Sequence, residues 1–280
     1  MHPELYLKSA LGALLLTALY IVFGLLLGFE IKWGNSFWAL LSNLLVALLL
    51  AYYIIHSSRS GFRLGLEVFL IYFIIGHFNI LIEAYIFNVT TRSQTLIEMV
   101  RGLLVALAFC PVYTYMVGND SLQAPRQLPH RSILSWSWRV VAADTLYLFC
   151  YLTAGLLLSI FYPRLLEFYE GKLPALGLML QTQFFLRGLI FTGIALLMLQ
   201  AMTLSLSRKA VLIGLTFSVL GGIAPLIPPN DLMPAYVRLG HGIEVGISNF
   251  VFGIALTYLL GYRPRKKNNA SQAEFSRKTV

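Results

Sequence analysis

Apolar runs of around 20 residues recur from one end of this sequence to the other, and no other feature restricts its folding so severely. About 20 apolar residues of helix cross the roughly 30 Å hydrocarbon core of a bilayer. Inside that core the protein itself must satisfy its backbone N–H and C=O groups, which leaves only helices or closed barrels. Eight such runs are read, at residues 9–29, 37–56, 64–88, 97–118, 138–162, 178–206, 210–228 and 237–261. Of the 280 residues 58% are hydrophobic and 12% charged, and the mean hydropathy is +0.74. A soluble domain carries about twice that charge. The expected fold is all-α: a polytopic integral membrane protein, with a bundle of eight transmembrane helices over residues 1–262 and a basic tail over 263–280.

Two runs are irregular. Residues 175–207 are too long for a simple crossing, so strong tilt or a short interfacial piece after Pro174 is expected there. The 210–228 run is broken by Gly221, Gly222, Pro225 and Pro228, which is tolerated only if protein or water satisfies the freed backbone groups. The 9–29 run reads as a retained first span, because its apolar core is long and no small-x-small cleavage site follows. Cys110 and Cys150 both fall inside spans, without CxxC or Cys/His metal spacing.

An even number of spans puts the N-terminus, the 57–63 and 119–137 loops, the 207–209 turn and the tail on one side. Fourteen of the 21 Lys and Arg residues belong to that side. Five belong to the other (Lys32, Arg92, Arg164, Lys172 and Arg238), and Arg101 and Arg187 lie within spans. The positive-inside bias then places both termini in the cytoplasm of a protein of the plasma (inner) membrane. The net charge of +9 reflects topology rather than nucleic-acid binding. The Arg263–Lys267 cluster sits where anionic headgroups are, so the partners expected are membrane lipids. No protein partner is indicated.

The 119–137 loop joins two groups of four spans. Glu98-x-x-Arg101-Gly102 and Gln183-x-x-x-Arg187-Gly188 echo one another, too briefly to establish a repeat. Gly24-x3-Gly28 and Gly242-x3-Gly246 are small-residue faces suited to close helix packing.

Candidate functional residues are those whose polarity is costly inside a bilayer. The last span carries Arg238, His241, Glu244 and Asn249. At 100° per residue, with His241 as zero, they fall at about +60°, 0°, −60° and +80°, a single arc of roughly 140°. Topology adds His77 near the midplane of the third span, with Asn79 beside it and Glu83 roughly 9 Å further out. His77 points about 120° away from Glu83, whereas Asn79 and Glu83 share a face. Glu98 and Arg101 lie near the outer face of the fourth span, and Gln183 and Arg187 in the outer to central part of the sixth. Asp144 is an exception, nearer the cytoplasm on the fifth. Four spans thus bring costly groups to overlapping depths, which points to a polar cavity in the outer half of the bilayer.

Several chemistries suit these residues. His241, Glu244 and Glu83, or His77, could hold a divalent metal, and His77 with His241 could hold haem if both rings face one gap. His241 oriented by Glu244 could act as a base in a membrane-embedded enzyme on a lipid or peptide. No HExxH, Walker or dinucleotide motif is present. The pairs could also serve only to fix the bundle in a structural subunit of a larger complex. The favoured reading is a carrier or binding protein for a small anionic, lipid-like or ionic ligand. Arg187 and Arg238 would supply counter-charge, Glu83, Glu244 and His241 would titrate, and Gln183 and Asn249 would orient the ligand. His77, Asn79, Glu98 and Arg101 form a secondary set.

Overall fold

A computed structural model describes residues 3–88, 90–118, 128–171, 174–230 and 233–262. The basic tail, residues 119–127 of the long loop, Lys172 and Asp231 lie outside the described residues. Eight helices are long and apolar enough to cross a membrane. They are α1 (Pro3–Leu26), α2 (Trp33–Ile55), α3 (Gly61–Ile86), α4 (Arg92–Val117), α5 (Ile133–Phe161), α7 (Leu176–Ala201), α8 (Leu206–Leu226) and α9 (Ala235–Gly261). A short helix, α6 (Arg164–Tyr169), lies between α5 and α7. Among the described residues there is no strand, only one isolated bridge between Ser57 and Met202.

Backbone carbonyls at the helix ends define the two ends of the bundle. At the N-terminal end Lys8 donates to Val117 O (3.0 Å) and Arg131 to Tyr262 O (2.6 Å). At the far end Asn35 donates to Pro229 O (2.9 Å) and Arg238 to Pro228 O (3.0 Å).

The sixth span stops at Ala201 rather than 206. Met202 turns to extended backbone (φ −75, ψ 141). The Thr203 N–H then reaches His56 O at 2.9 Å, and the Ser58 N–H reaches Ala201 O at 2.7 Å. Partners on the 56–58 connection thus replace the next helical turn. The α8 break is milder than its Gly and Pro content suggests. The helix continues to Leu226 through a widened π-helical turn at Val219–Ile223. Asn249 of α9 covers that turn, donating from Nδ2 to Phe217 O (3.3 Å) with Gly221 O at 3.5 Å. Two further π-helical segments interrupt α3 (Ile71–Phe78) and α7 (Thr182–Gly188). Such segments leave part of the backbone ladder out of register and recur at functional sites.

The helices form two groups, α1–α4 and α5 with α7–α9, and α8 also lies against α2 and α3. The tightest pairing is α8 with α9. A Cβ on Gly253 would stand 2.7 Å from Gly214 Cα, and one on Gly246 would stand 2.9 Å from Ile223. The Gly242-x3-Gly246 face is therefore a packing face. Gly24-x3-Gly28 is not, because Gly28 lies beyond α1 at φ +80 with nothing within 4 Å. Tyr147, Phe191, Phe217 and Phe252 fill the centre of the second group, with successive ring centroids 4.6–5.8 Å apart. Phe62, Leu26, Ile133 and Phe161 are among the large apolar residues left outward. A surface of that kind suits hydrocarbon rather than water.

Close backbone contact makes Gly253 sensitive. Gly253→Val should cost about 1–3 kcal/mol through overpacking, read as a lower thermal unfolding midpoint in detergent. Gly193→Val, where nothing lies within 4 Å, should leave the midpoint nearly unchanged.

Candidate functional site

The polar residues expected to share one cavity divide into three groups. The first lies in the seam between the two halves of the bundle. Asn79 and Glu83 stand one turn apart on α3, and Gln183 and Arg187 one turn apart on α7, so each pair presents one face. Arg187 is ion-paired with Glu83 through Nη1. It also donates from Nε to Asn79 Oδ1 at 3.3 Å and from Nη1 to Gln183 Oε1 at 3.2 Å. Gln183 Nε2 donates to the other Glu83 oxygen at 3.0 Å, and the Tyr147 hydroxyl donates to Gln183 Oε1 at 3.2 Å. The guanidinium stands 5.9 Å from the centre of the Tyr147 ring. Asn79, Gln183 and Arg187 are buried. An arginine at a helix centre costs roughly 2.5–3.5 kcal/mol on insertion scales, and here one carboxylate and two amides answer it. Only Asn79 Nδ2 is left without a partner in this group, and the group does not line the cavity described below.

The arc on α9 serves two sides. Its Arg238 and Asn249 edge meets α8, where Arg238 caps Pro228 O and Asn249 covers the π-helical turn. Its other edge carries the His241 Nδ1···Glu244 Oε2 hydrogen bond at 3.0 Å. Tyr169 of α6 lies over this pair, with its ring centroid 6.2 Å from that of His241. Burial and the carboxylates of Glu244 and Glu83 push the Tyr169 phenol well above its ordinary pKa, keeping it neutral. Tyr169 is thus one place where the α9 pair and the seam group come within electrostatic reach of each other.

The third group, His77, Glu98 and Arg101 of the secondary set from the sequence, faces the open space, whereas Asn79 of that set belongs to the seam. A cavity of about 470 Å³ enters between α1, α2, α3, α4 and α8 from the far end. That volume falls within the roughly 300–1,000 Å³ usual for ligand sites. Lys32, Pro229 and Asn230 lie at its rim, and Val46, Ile80 and Leu220 give it apolar walls. Tyr20, Tyr72, His77, Glu98 and Arg101 supply polar atoms within it. Arg101 stands about 14 Å along α4 from Arg92, so the cavity reaches far into the bundle. Its Nη2 meets Glu98 Oε2 at 2.6 Å, and its guanidinium lies 4.4 Å from the Phe29 ring centre. The Arg101 Nε is buried without an acceptor. His77 Nε2 lies 2.9 Å from the Tyr20 hydroxyl, which lies 3.0 Å from that of Tyr72. Gly102 gives the imidazole its room, since a Cβ there would sit 2.6 Å from His77 Cγ.

The donors named for a metal therefore do not converge. Glu83 is engaged by Arg187, and His241 and Glu244 by each other. Among the described residues no three His, Cys, Asp or Glu side chains are placed to hold a metal ion. His77 and His241 belong to different groups, with separate hydrogen-bond partners, so they do not form a haem ligand pair. Tyr20, Tyr72, Tyr147 and Tyr169 escaped notice in the sequence. A signal existed for the first three: a tyrosine well inside a span needs a partner for its hydroxyl.

Compared with known protein families, curated proteins and solved structures, the chain matches none.

Removing one member of the seam pair leaves a buried charge unanswered. Glu83→Gln or Arg187→Gln should each cost about 3–5 kcal/mol. The double substitution should cost clearly less than their sum, because the two residues are coupled. Unfolding midpoints of the two single variants and the double variant in detergent measure this.

Proposed function

We propose that the protein is a carrier or binding protein of the plasma (inner) membrane, with both termini cytoplasmic, for a small anionic, lipid-like ligand. The observation supporting this reading is the cavity between α1–α4 and α8, apolar along its walls, with Arg101 at depth keeping an N–H without an acceptor beside its Glu98 partner. The Arg101 guanidinium has five N–H donors, and its Nε has no acceptor. A carboxylate or phosphate can supply acceptors, with the bidentate geometry that guanidinium favours. An acyl or other apolar tail suits Val46, Ile80 and Leu220. Tyr20, Tyr72 and His77 form a polar chain whose hydroxyls and ring can reorient to donate or accept.

Movement is supported by the cavity's own wall. The π-helical segments Ile71–Phe78 and Val219–Ile223 touch each other. Tyr72, Gly76, His77 and Leu220, drawn from these segments, line the cavity. A wall whose helical register is already shifted can change shape at low cost. The bias of 14 basic residues to five supports the orientation, in which the cavity opens to the outer leaflet.

The test uses purified protein in nanodiscs of neutral phosphatidylcholine and a dansyl-labelled fatty acid as probe. Wild-type protein should bind it saturably, and Arg101→Ala should weaken binding by roughly 10-fold or more, the loss of a charge-assisted hydrogen bond. A labelled fatty alcohol of equal length should bind both proteins alike. Equal binding of the acid to wild type and Arg101→Ala would overturn the reading.

A further inference from the structure

A buried acid outside both the cavity and the seam pair has no place in the reading so far. Asp144 lies on α5, about 16 Å along the helix from Ile133, and is 4% exposed. Its Oδ1 has no hydrogen-bond partner. The backbone of α7 presses directly on it: a Cβ on Gly188 would stand 2.7 Å from Oδ1. Gly188 is also where the π-helical segment of α7 ends.

We propose that Asp144 is a proton-binding site inside the bundle, occupied by a proton in the conformation described. Among the described residues no neighbour offers the charge an ionised carboxylate would need. On α5, Tyr147 lies one turn toward the far end, and Arg139 is held by Leu259 O and Ser135. On α7, Arg187 is engaged by Glu83, Asn79 and Gln183. One turn from Gly188, the Thr192 hydroxyl is buried and equally unpartnered. On α9, Phe252 meets Tyr147 and Leu259 meets Arg139, and the stretch 253–258 between them holds no charged residue. Its Tyr258 is exposed, and Glu244 and His241, bonded to each other, lie about two and three turns beyond Phe252. The remaining element beside α5, the short helix α6, follows it at the far end, remote from Asp144. An isolated carboxylate in an apolar interior is far costlier than its neutral acid.

Position gives the proton a use. Asp144 is one turn from Tyr147, whose hydroxyl donates to Gln183, which donates to Glu83. Hydrogen bonds thus link Tyr147, one turn from Asp144, to Gln183 and Glu83, while the Thr192 hydroxyl lies toward the N-terminal end. Release breaks the Asp144 O–H bond, leaves its electron pair on the carboxylate, and passes the proton to water. The site stands whether or not the cavity ligand is anionic.

The test is modification by a hydrophobic carbodiimide in proteoliposomes, mapped by peptide mass spectrometry. A protonated carboxyl adds across the N=C bond, its proton going to nitrogen and its oxygen to carbon, and the adduct rearranges to a stable acylurea without a leaving group. The expected result is an adduct on Asp144 that diminishes as pH rises, is indifferent to sodium at fixed pH, and is missing in Asp144→Asn. Asp144→Asn, a neutral isostere of the acid, should keep the wild-type unfolding midpoint. The proposal is overturned by an unmodified Asp144 at acidic pH in folded protein, by pH-independent labelling, or by protection with sodium. A marked loss of stability in Asp144→Asn would equally overturn it, because it would show an ionised, paired carboxylate.

Discussion

An arginine inside hydrocarbon must be answered by the protein itself, and the answer given to Arg187 organises this bundle. Glu83, Asn79 and Gln183 surround its guanidinium. The pair ties α3, from the first half of the chain, to α7, from the second. It also fixes how α3 is turned about its axis. With Asn79 and Glu83 directed at the seam, His77 is carried to the opposite side, against Tyr20 of α1 and Gly102 of α4. The lining of the cavity is thus a consequence of a salt bridge that does not line it.

A different device, a glycine notch on a neighbouring helix, receives three other polar side chains deep in the bundle. His77 occupies the notch of Gly102, Asp144 that of Gly188, and Asn249 approaches Gly221, whose Cβ would stand 3.2 Å from Nδ2. Small residues let helix backbones approach closely, and here the space is taken by a neighbour's polar group rather than by carbon. The two Arg-Gly dipeptides that echo each other in sequence behave alike. Arg101 and Arg187 each pair with a glutamate and stand beside a tyrosine ring, while the following glycine receives a polar side chain from another helix. This likeness is one of local packing and does not require duplication of the chain.

The spans were legible in the sequence because hydropathy over 20 residues reports directly on the solvent. The end of α7 was not, since residues 202–205 carry no glycine or proline to break a helix. That helix ends because backbone partners at His56 and Ser58 are available, a tertiary fact. A shared depth for Glu83 and Arg187 was legible too, from helical rise and topology, and the two meet. What depth cannot supply is which neighbour each face meets. On α9 the angular positions hold within the helix, yet Arg238 and Asn249 turn to α8 while His241 and Glu244 turn to Tyr169. On α3 the separation of His77 from Glu83 was already in the wheel, and it is this angle, not their shared depth, that divides cavity from seam.

The charge asymmetry between the two ends of the bundle has a local mechanical role. Helices α2, α4, α7 and α9 end at the N-terminal end of the bundle, presenting unpaired carbonyls and the negative pole of the helix dipole. Lys8 donates to Val117 O, Lys209 to Leu199 O, Arg139 to Leu259 O, and Arg131 to Leu260 O and Tyr262 O. Cations in such positions contribute about 0.3–1 kcal/mol each. At the far end the cations are used differently. Arg92, Arg101 and Arg164 stand over aromatic rings at 5.2, 4.4 and 4.4 Å, and Arg238 alone among these four caps a carbonyl, that of Pro228. Basic residues at one end therefore close three helices. Moving them to the other end would leave those carbonyls without their cations, so the fold itself ties these side chains to one end.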